Sequence, residues 1–155
     1  MRIRTILLTL ATLFVVAVVC VAADDPFTGT WKANEAKSHM PPGVRKDTTC
    51  VYSIVGGTLE VTCDGVKPSG ERSRLIWKGR LDGKDYPLTG GAPTNAGSFT
   101  RIDDRTIWEI DKLDGKVIST AVMIVSADGK SRTVMRTSTD ANGNMLTNLR
   151  VYDKQ

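Results

Sequence analysis

The chain has 155 residues, of which 41% are apolar, 6% aromatic and 25% charged, with 14 glycines and a formal net charge of +4. That balance is the balance of one ordinary globular domain. It excludes a disordered tail, a coiled coil, a collagen-like chain, a dense disulfide scaffold and a multi-span membrane protein.

Arg2 and Arg4 precede an apolar run from Ile6 to Val19 that ends in the small residues Val21-Ala22-Ala23. This is the pattern of a secretory signal peptide over residues 1–23, with Val21 and Ala23 at the small-residue positions before a cut after Ala23. Uncut, the same run reads as a membrane anchor. Cys20 raises lipid attachment, but Val19 stands before it where a lipoprotein signal has Gly, Ala or Ser. Cleavage leaves residues 24–155 as a single secreted or periplasmic domain with no stable membrane span. It removes two arginines and no acid, so the formal charge falls to +2. The remaining Lys and Arg are scattered and rarely adjoin an aromatic residue, so nucleic acid is not an expected partner.

A first short strand is read over residues 29–33, followed by a Pro- and Gly-bearing linker from Asn34 to Lys46 with room for one turn of helix near Glu35 to Ser38. In a barrel, that linker would cross or cover an open end. Cys50 and Cys63 then flank two β-rich runs joined by Gly56-Gly57. With those glycines as a two-residue loop, Val55 opposes Thr58 and Cys50 opposes Cys63, close enough for a disulfide on the core side. A redox or metal role is the competing reading, but the spacing is not Cys-x-x-Cys, and one histidine with no further mature cysteine cannot complete a metal set.

Turn signals recur at Asp64-Gly65, Pro68-Ser69-Gly70, Asp82-Gly83-Lys84, Gly90-Gly91, Asp114-Gly115-Lys116, Asp128-Gly129-Lys130 and Asn142-Gly143-Asn144. Between them lie short β-rich runs and nothing at helical spacing, the pattern of an antiparallel sandwich or barrel. Taking Asp114-Gly115 and Asp128-Gly129 as loops places Trp108 opposite Ala121, Ile110 opposite Ser119, Met123 opposite Val134 and Ala121 opposite Arg136. The resulting face, Trp108, Ile110, Ser119, Ala121, Met123, Val134 and Arg136, is apolar with one cation and one hydroxyl, which suits a lined cavity.

Phe27-x-Gly29-x-Trp31-Lys32 resembles the Gly-x-Trp signature on the first strand of the lipocalins, with a similar opening in fatty-acid-binding proteins and avidins. The longer string from Pro26 to Ser38, with the ending Val151-Tyr152-Asp153-Lys154, is similar to a group of exported bacterial lipocalin-like proteins. The resemblance implies an all-β, up-and-down antiparallel barrel of about 8 to 10 strands. It also implies that Gly29 and Trp31 close one end and that a basic residue of the last strand, Arg150, packs over Trp31, unless Arg150 is simply solvated. A second lipocalin motif and a two-helix lid are both missing.

Catalysis is poorly supplied. His39 is the sole histidine and sits in a Pro-Pro-Gly loop; no Gly-x-Ser-x-Gly turn presents a nucleophile; Asp103-Asp104 is a turn initiator; and Asp140-x-Asn142-Gly143-Asn144 lacks the spacing of a calcium loop. No cofactor is implied. The expected function is non-catalytic binding of a small hydrophobic ligand in the barrel, with Tyr52, Trp77, Trp108, Met123, Val134 and Arg136 as cavity candidates or, alternatively, plain core. A filled barrel would instead point to an interaction module working through loops such as 37–46 or 86–96. A buried ionisable pair in the cavity would point to an enzyme.

Overall fold

The computed structural model describes residues 24–90, 93–139 and 142–155; the expected signal peptide and its cut after Ala23 lie outside the described residues, as do Gly91 and Asp140. Ten strands follow in chain order: β1 (Gly29–Ala33), β2 (Lys46–Val55), β3 (Thr58–Val66), β4 (Arg72–Gly79), β5 (Asp82–Thr89), β6 (Ala96–Asp103), β7 (Thr106–Leu113), β8 (Lys116–Val125), β9 (Ser131–Thr139) and β10 (Met145–Lys154). One 3-10 turn, Glu35–Lys37, is capped by the Asn34 side chain. Each strand pairs antiparallel with the next, and β1 pairs with both β2 and β10, so the meander closes into an up-and-down barrel without a free edge.

The strands form where alternation and turn chemistry agree. β3 alternates buried and half-buried residues along its length, as a strand with one face to a barrel interior must. At its start, Gly56 and Gly57 both take positive φ, 57° and 76°, the geometry of a two-residue hairpin turn. Register follows from that turn: Val55 opposes Thr58 and Cys50 opposes Cys63. The two cysteines are joined as a disulfide with Cα atoms 4.1 Å apart.

Two expectations are corrected. Residues 82–89, read as a turn running into an exposed loop, form β5. Its run of Asp, Gly and Lys hides the strand pattern, and Pro87 withholds a donor, so β5 joins β4 through two pairs alone, Ile76 with Thr89 and Trp77 with Leu88. The second correction is the β7–β8 register. At the tip, Leu113 faces Lys116 as expected, with Asp114 and Gly115 at positive φ. A bulge then skips one residue of β8, and Asp111 faces Ser119, Glu109 faces Ala121 and Trp108 faces Val122. One extra residue exchanges the two faces of a strand. Trp108 and Ile110 therefore point out and Ile107, Glu109 and Asp111 point in. The β8–β9 register is as expected, with Met123 opposite Val134 and Ala121 opposite Arg136.

Candidate functional site

One end of the barrel is sealed by aromatic and guanidinium groups. Trp31 is fully buried and donates its indole N–H to the Phe27 carbonyl at 2.8 Å. Gly29, at φ 122°, leaves room for the Lys154 side chain, whose Nζ lies 5.2 Å from the Trp31 ring. The cation over Trp31 from within the barrel is Arg132, not Arg150. Its guanidinium carbon stands 5.2 Å from Trp31, 4.2 Å from Tyr52 and 4.4 Å from Tyr152. Arg132 is 1% exposed, and its Nε and Nη1 have no hydrogen-bond partner, so the three ring faces supply the favourable environment for its charge. Arg150 is two residues too early on β10 to reach this end.

Above that seal the barrel is hollow, with a cavity of about 660 Å³ that opens to solvent at the far end. Gly43 to Arg45 of the linker, the β3–β4 turn at Lys67 to Ser69, the β5–β6 connection at Gly90 and Pro93, and the β9–β10 ends rim its mouth. The linker also runs beside β10, where His39 forms an isolated antiparallel bridge with Leu149.

The cavity has two unlike walls. Val61, Leu75, Leu88 and Phe99 from β3 to β6, with the Cys50–Cys63 disulfide, make an apolar wall. The wall from β7 to β10 carries a charged network beside the apolar Met123 and Val134. Arg136 Nη2 donates to Glu109 Oε1 at 2.6 Å, its Nη1 bonds Asp111 Oδ2 and donates to Ser119 Oγ at 2.7 Å, and that hydroxyl donates to Asp111 at 2.8 Å. Nearer the mouth, Asp47 accepts from Arg150 Nη1 at 2.6 Å and Tyr152 Oη at 2.7 Å and also pairs with Arg45. Asn148 lies between the two groups, in register with Arg136 and accepting from Arg150 Nε at 3.0 Å, while its own amide nitrogen is buried without a hydrogen-bond partner.

Electrostatics follow from burial. Glu109 is removed from water and shares one guanidinium with a second carboxylate, and its carboxyl is pushed up to about 7, desolvation being the largest cause. Arg136, flanked by two acids, is held still more firmly protonated than usual despite its burial. Burial also raises the Tyr52 phenol and lowers the Arg45 and Arg150 guanidinia.

Of the cavity candidates, Tyr52, Met123, Val134 and Arg136 line the hollow. Trp77 is fully buried beside it, stacked on Phe99 at 4.0 Å with its indole N–H donating to the Gly97 carbonyl at 2.9 Å, and serves the core. Trp108 is 38% exposed on the outer surface, in a row with Val122, Met135 and Leu149. The residues that sequence reasoning missed are the charged ones: Glu109, Asp111, Arg45, Asp47 and Arg132. Placing Trp108 and Ile110 on the inner face leaves Glu109 and Asp111 on the outer one, which is why patterning alone does not find them. Asp47, Cys50 and Cys63 lie close enough to one another to suggest a metal site, but the disulfide occupies both sulfurs.

No protein-family model matches the chain, and no curated protein matches it. Among solved structures, apocrustacyanin C1 is similar at 12% identity and a TM-score of 0.45, over 88% of this chain and 64% of that one, less than two thirds of its length.

Proposed function

We propose that the protein is an exported, lipocalin-like barrel of the bacterial type that holds a small, largely apolar molecule without making or breaking bonds. The observation that carries this reading is the hollow interior: about 660 Å³, open at one end, between an apolar wall and a hydrogen-bonding one, within the size range of small-molecule sites. A filled interior would have favoured an interaction module working through the loops. The Gly29 and Trp31 seal supports the lipocalin-like reading. Export is supported by the leader pattern and the disulfide, and among the described residues no helix is long and apolar enough to cross a membrane.

The test is native mass spectrometry of the protein purified from its own export compartment. A co-purifying apolar mass is expected, displaced stoichiometrically by N-phenyl-1-naphthylamine. A protein that carries no such mass and binds none of the added probe overturns the reading.

One observation favours a second reading, an enzyme on this scaffold: Glu109, with its carboxyl near 7 and Asp111 beside it, is the kind of buried acid that exchanges protons at neutral pH. If the co-purifying molecule is chemically altered by the unmodified protein and not by Glu109→Gln, that reading replaces the carrier.

A further inference from the structure

The charges that line the cavity do not cancel. Among the described residues, four guanidinia, Arg45, Arg132, Arg136 and Arg150, face three carboxylates, Asp47, Glu109 and Asp111, and Lys67 at the rim is paired with Glu71. Arg45 and Arg150 hold Asp47, while Arg136 holds both Glu109 and Asp111. No described carboxylate pairs with Arg132, so the surplus positive charge of the interior is its own. Trp31, Tyr52 and Tyr152 attract it through their ring faces but carry no charge to cancel it, and its Nε and Nη1 make no hydrogen bond. A buried cation without a counter-charge is costly to keep.

The hydroxyl beside it is equally uncommitted. Tyr152 Oη is fixed on Asp47, but Tyr52 Oη donates only to the Met123 thioether, at 3.6 Å, and sulfur is a weak acceptor. Burial raises the Tyr52 phenol above its ordinary value of 10, so the group keeps its proton and stays a donor. Arg132, Tyr52 and Met123 all line the hollow, at its sealed end. An oxygen anion arriving there meets one uncompensated charge and one O–H with no strong acceptor. We infer that the ligand is an apolar molecule with one oxygen anion, such as a carboxylate, and that this group lies at the sealed end, balanced by Arg132 and accepting from Tyr52 Oη. The apolar body then lies against Val61, Leu88 and Phe99.

The inference rests on the small-molecule reading, and one pair of competitors separates the two. Decanoate and 1-decanol share an alkyl body and differ in the charge of the head group. In displacement of N-phenyl-1-naphthylamine at pH 8, decanoate is expected to bind about tenfold or more tightly than 1-decanol, the scale of one hydrogen bond to a charged group. Arg132→Met should abolish that preference and leave 1-decanol unchanged. Tyr52→Phe, which keeps the ring facing Arg132, should reduce it. Carboxyl-labelled decanoate bound to the unaltered protein keeps the test independent of either variant's folding. By carbon-13 resonance it should remain ionised at about pH 4.5, near the ordinary carboxyl value, as a carboxylate beside a cation does. Equal displacement by the two competitors, or a bound carboxyl that titrates as the free acid does, overturns the anion inference alone. A decanoate preference that survives in both variants overturns its placement at the sealed end. Failure of the naphthylamine and both competitors to bind overturns the small-molecule reading with it.

Discussion

Glu109 and Arg136 meet at 2.6 Å across a strand that lies between them. The strand is β8, and the residue in register with both is Ala121. A methyl side chain at that point leaves the space through which a guanidinium and a carboxylate from β9 and β7 can touch on the inner wall. A larger residue would hold them apart and leave two charges in a poorly solvated place.

Ala121→Leu is therefore expected to destabilise the protein by about 3 kcal/mol or more, from overpacking together with a broken buried pair. Chemical denaturation measures it. A loss under about 1 kcal/mol would show that Glu109 and Arg136 do not depend on the gap above Ala121.

The pH dependence of stability has a definite sign. Glu109 has a folded carboxyl near 7 against an ordinary value of 4.5, so its contribution is fully present below 4.5 and is lost as pH rises through 7. The exposed carboxylates with lowered values, Asp64, Asp82, Asp103 and Asp128, act oppositely, and only as pH falls toward and below their ordinary 3.8. Between pH 5 and 8, unfolding free energy should fall in the unaltered protein, and Glu109→Gln should remove that fall. An identical slope in the two proteins would place the titrating group elsewhere.

The seal separates two arginines that the sequence did not. With 5-fluorotryptophan incorporated, the resonance of Trp31 should move in Arg132→Met and stay in place in Arg150→Met, because Arg132 faces the Trp31 ring while Arg150 is bound to Asp47. Movement in Arg150→Met alone would restore the last-strand arginine to the role expected of it.

What was legible in the chain was whatever local chemistry decides. Glycines at 56 and 57 set the β2–β3 register and with it the disulfide. The β7–β8 register was not legible, because a bulge leaves no mark in a tip such as Asp114-Gly115 that reads the same with or without it. β5 was hidden because its outward residues are turn formers. The polar half of the cavity was hidden for a related reason. Hydrophobic patterning assigns the apolar face of β7 to the interior, and here the interior takes Glu109 and Asp111 because Arg136, 25 residues further on, is there to receive them. Arg132 and Arg150, two strand positions apart on adjacent strands, are distinguished only by which end of the barrel each reaches.

The disulfide closes a segment with a sequence separation of 13 between two strands already paired. Replacing both cysteines by serine should cost about 3 kcal/mol in denaturation, the scale for a loop of this length. A mass 2 Da above the oxidised protein after reductant, an increment fixed by the two hydrogens gained, would accompany the same loss in the native sequence. No loss in either form would mean that the strand pairing holds the unfolded chain as tightly without the bond.

The central claim is that a small molecule occupies the barrel's interior, and the most direct measurement is titration of N-phenyl-1-naphthylamine into the unaltered protein and into Val134→Trp, which fills the hollow from β9. One-to-one saturable binding, weakened at least tenfold (about 1.4 kcal/mol) by a tryptophan that leaves the fold intact by circular dichroism, is the result predicted. Equal affinity in the two proteins would place the probe outside the cavity and contradict the account.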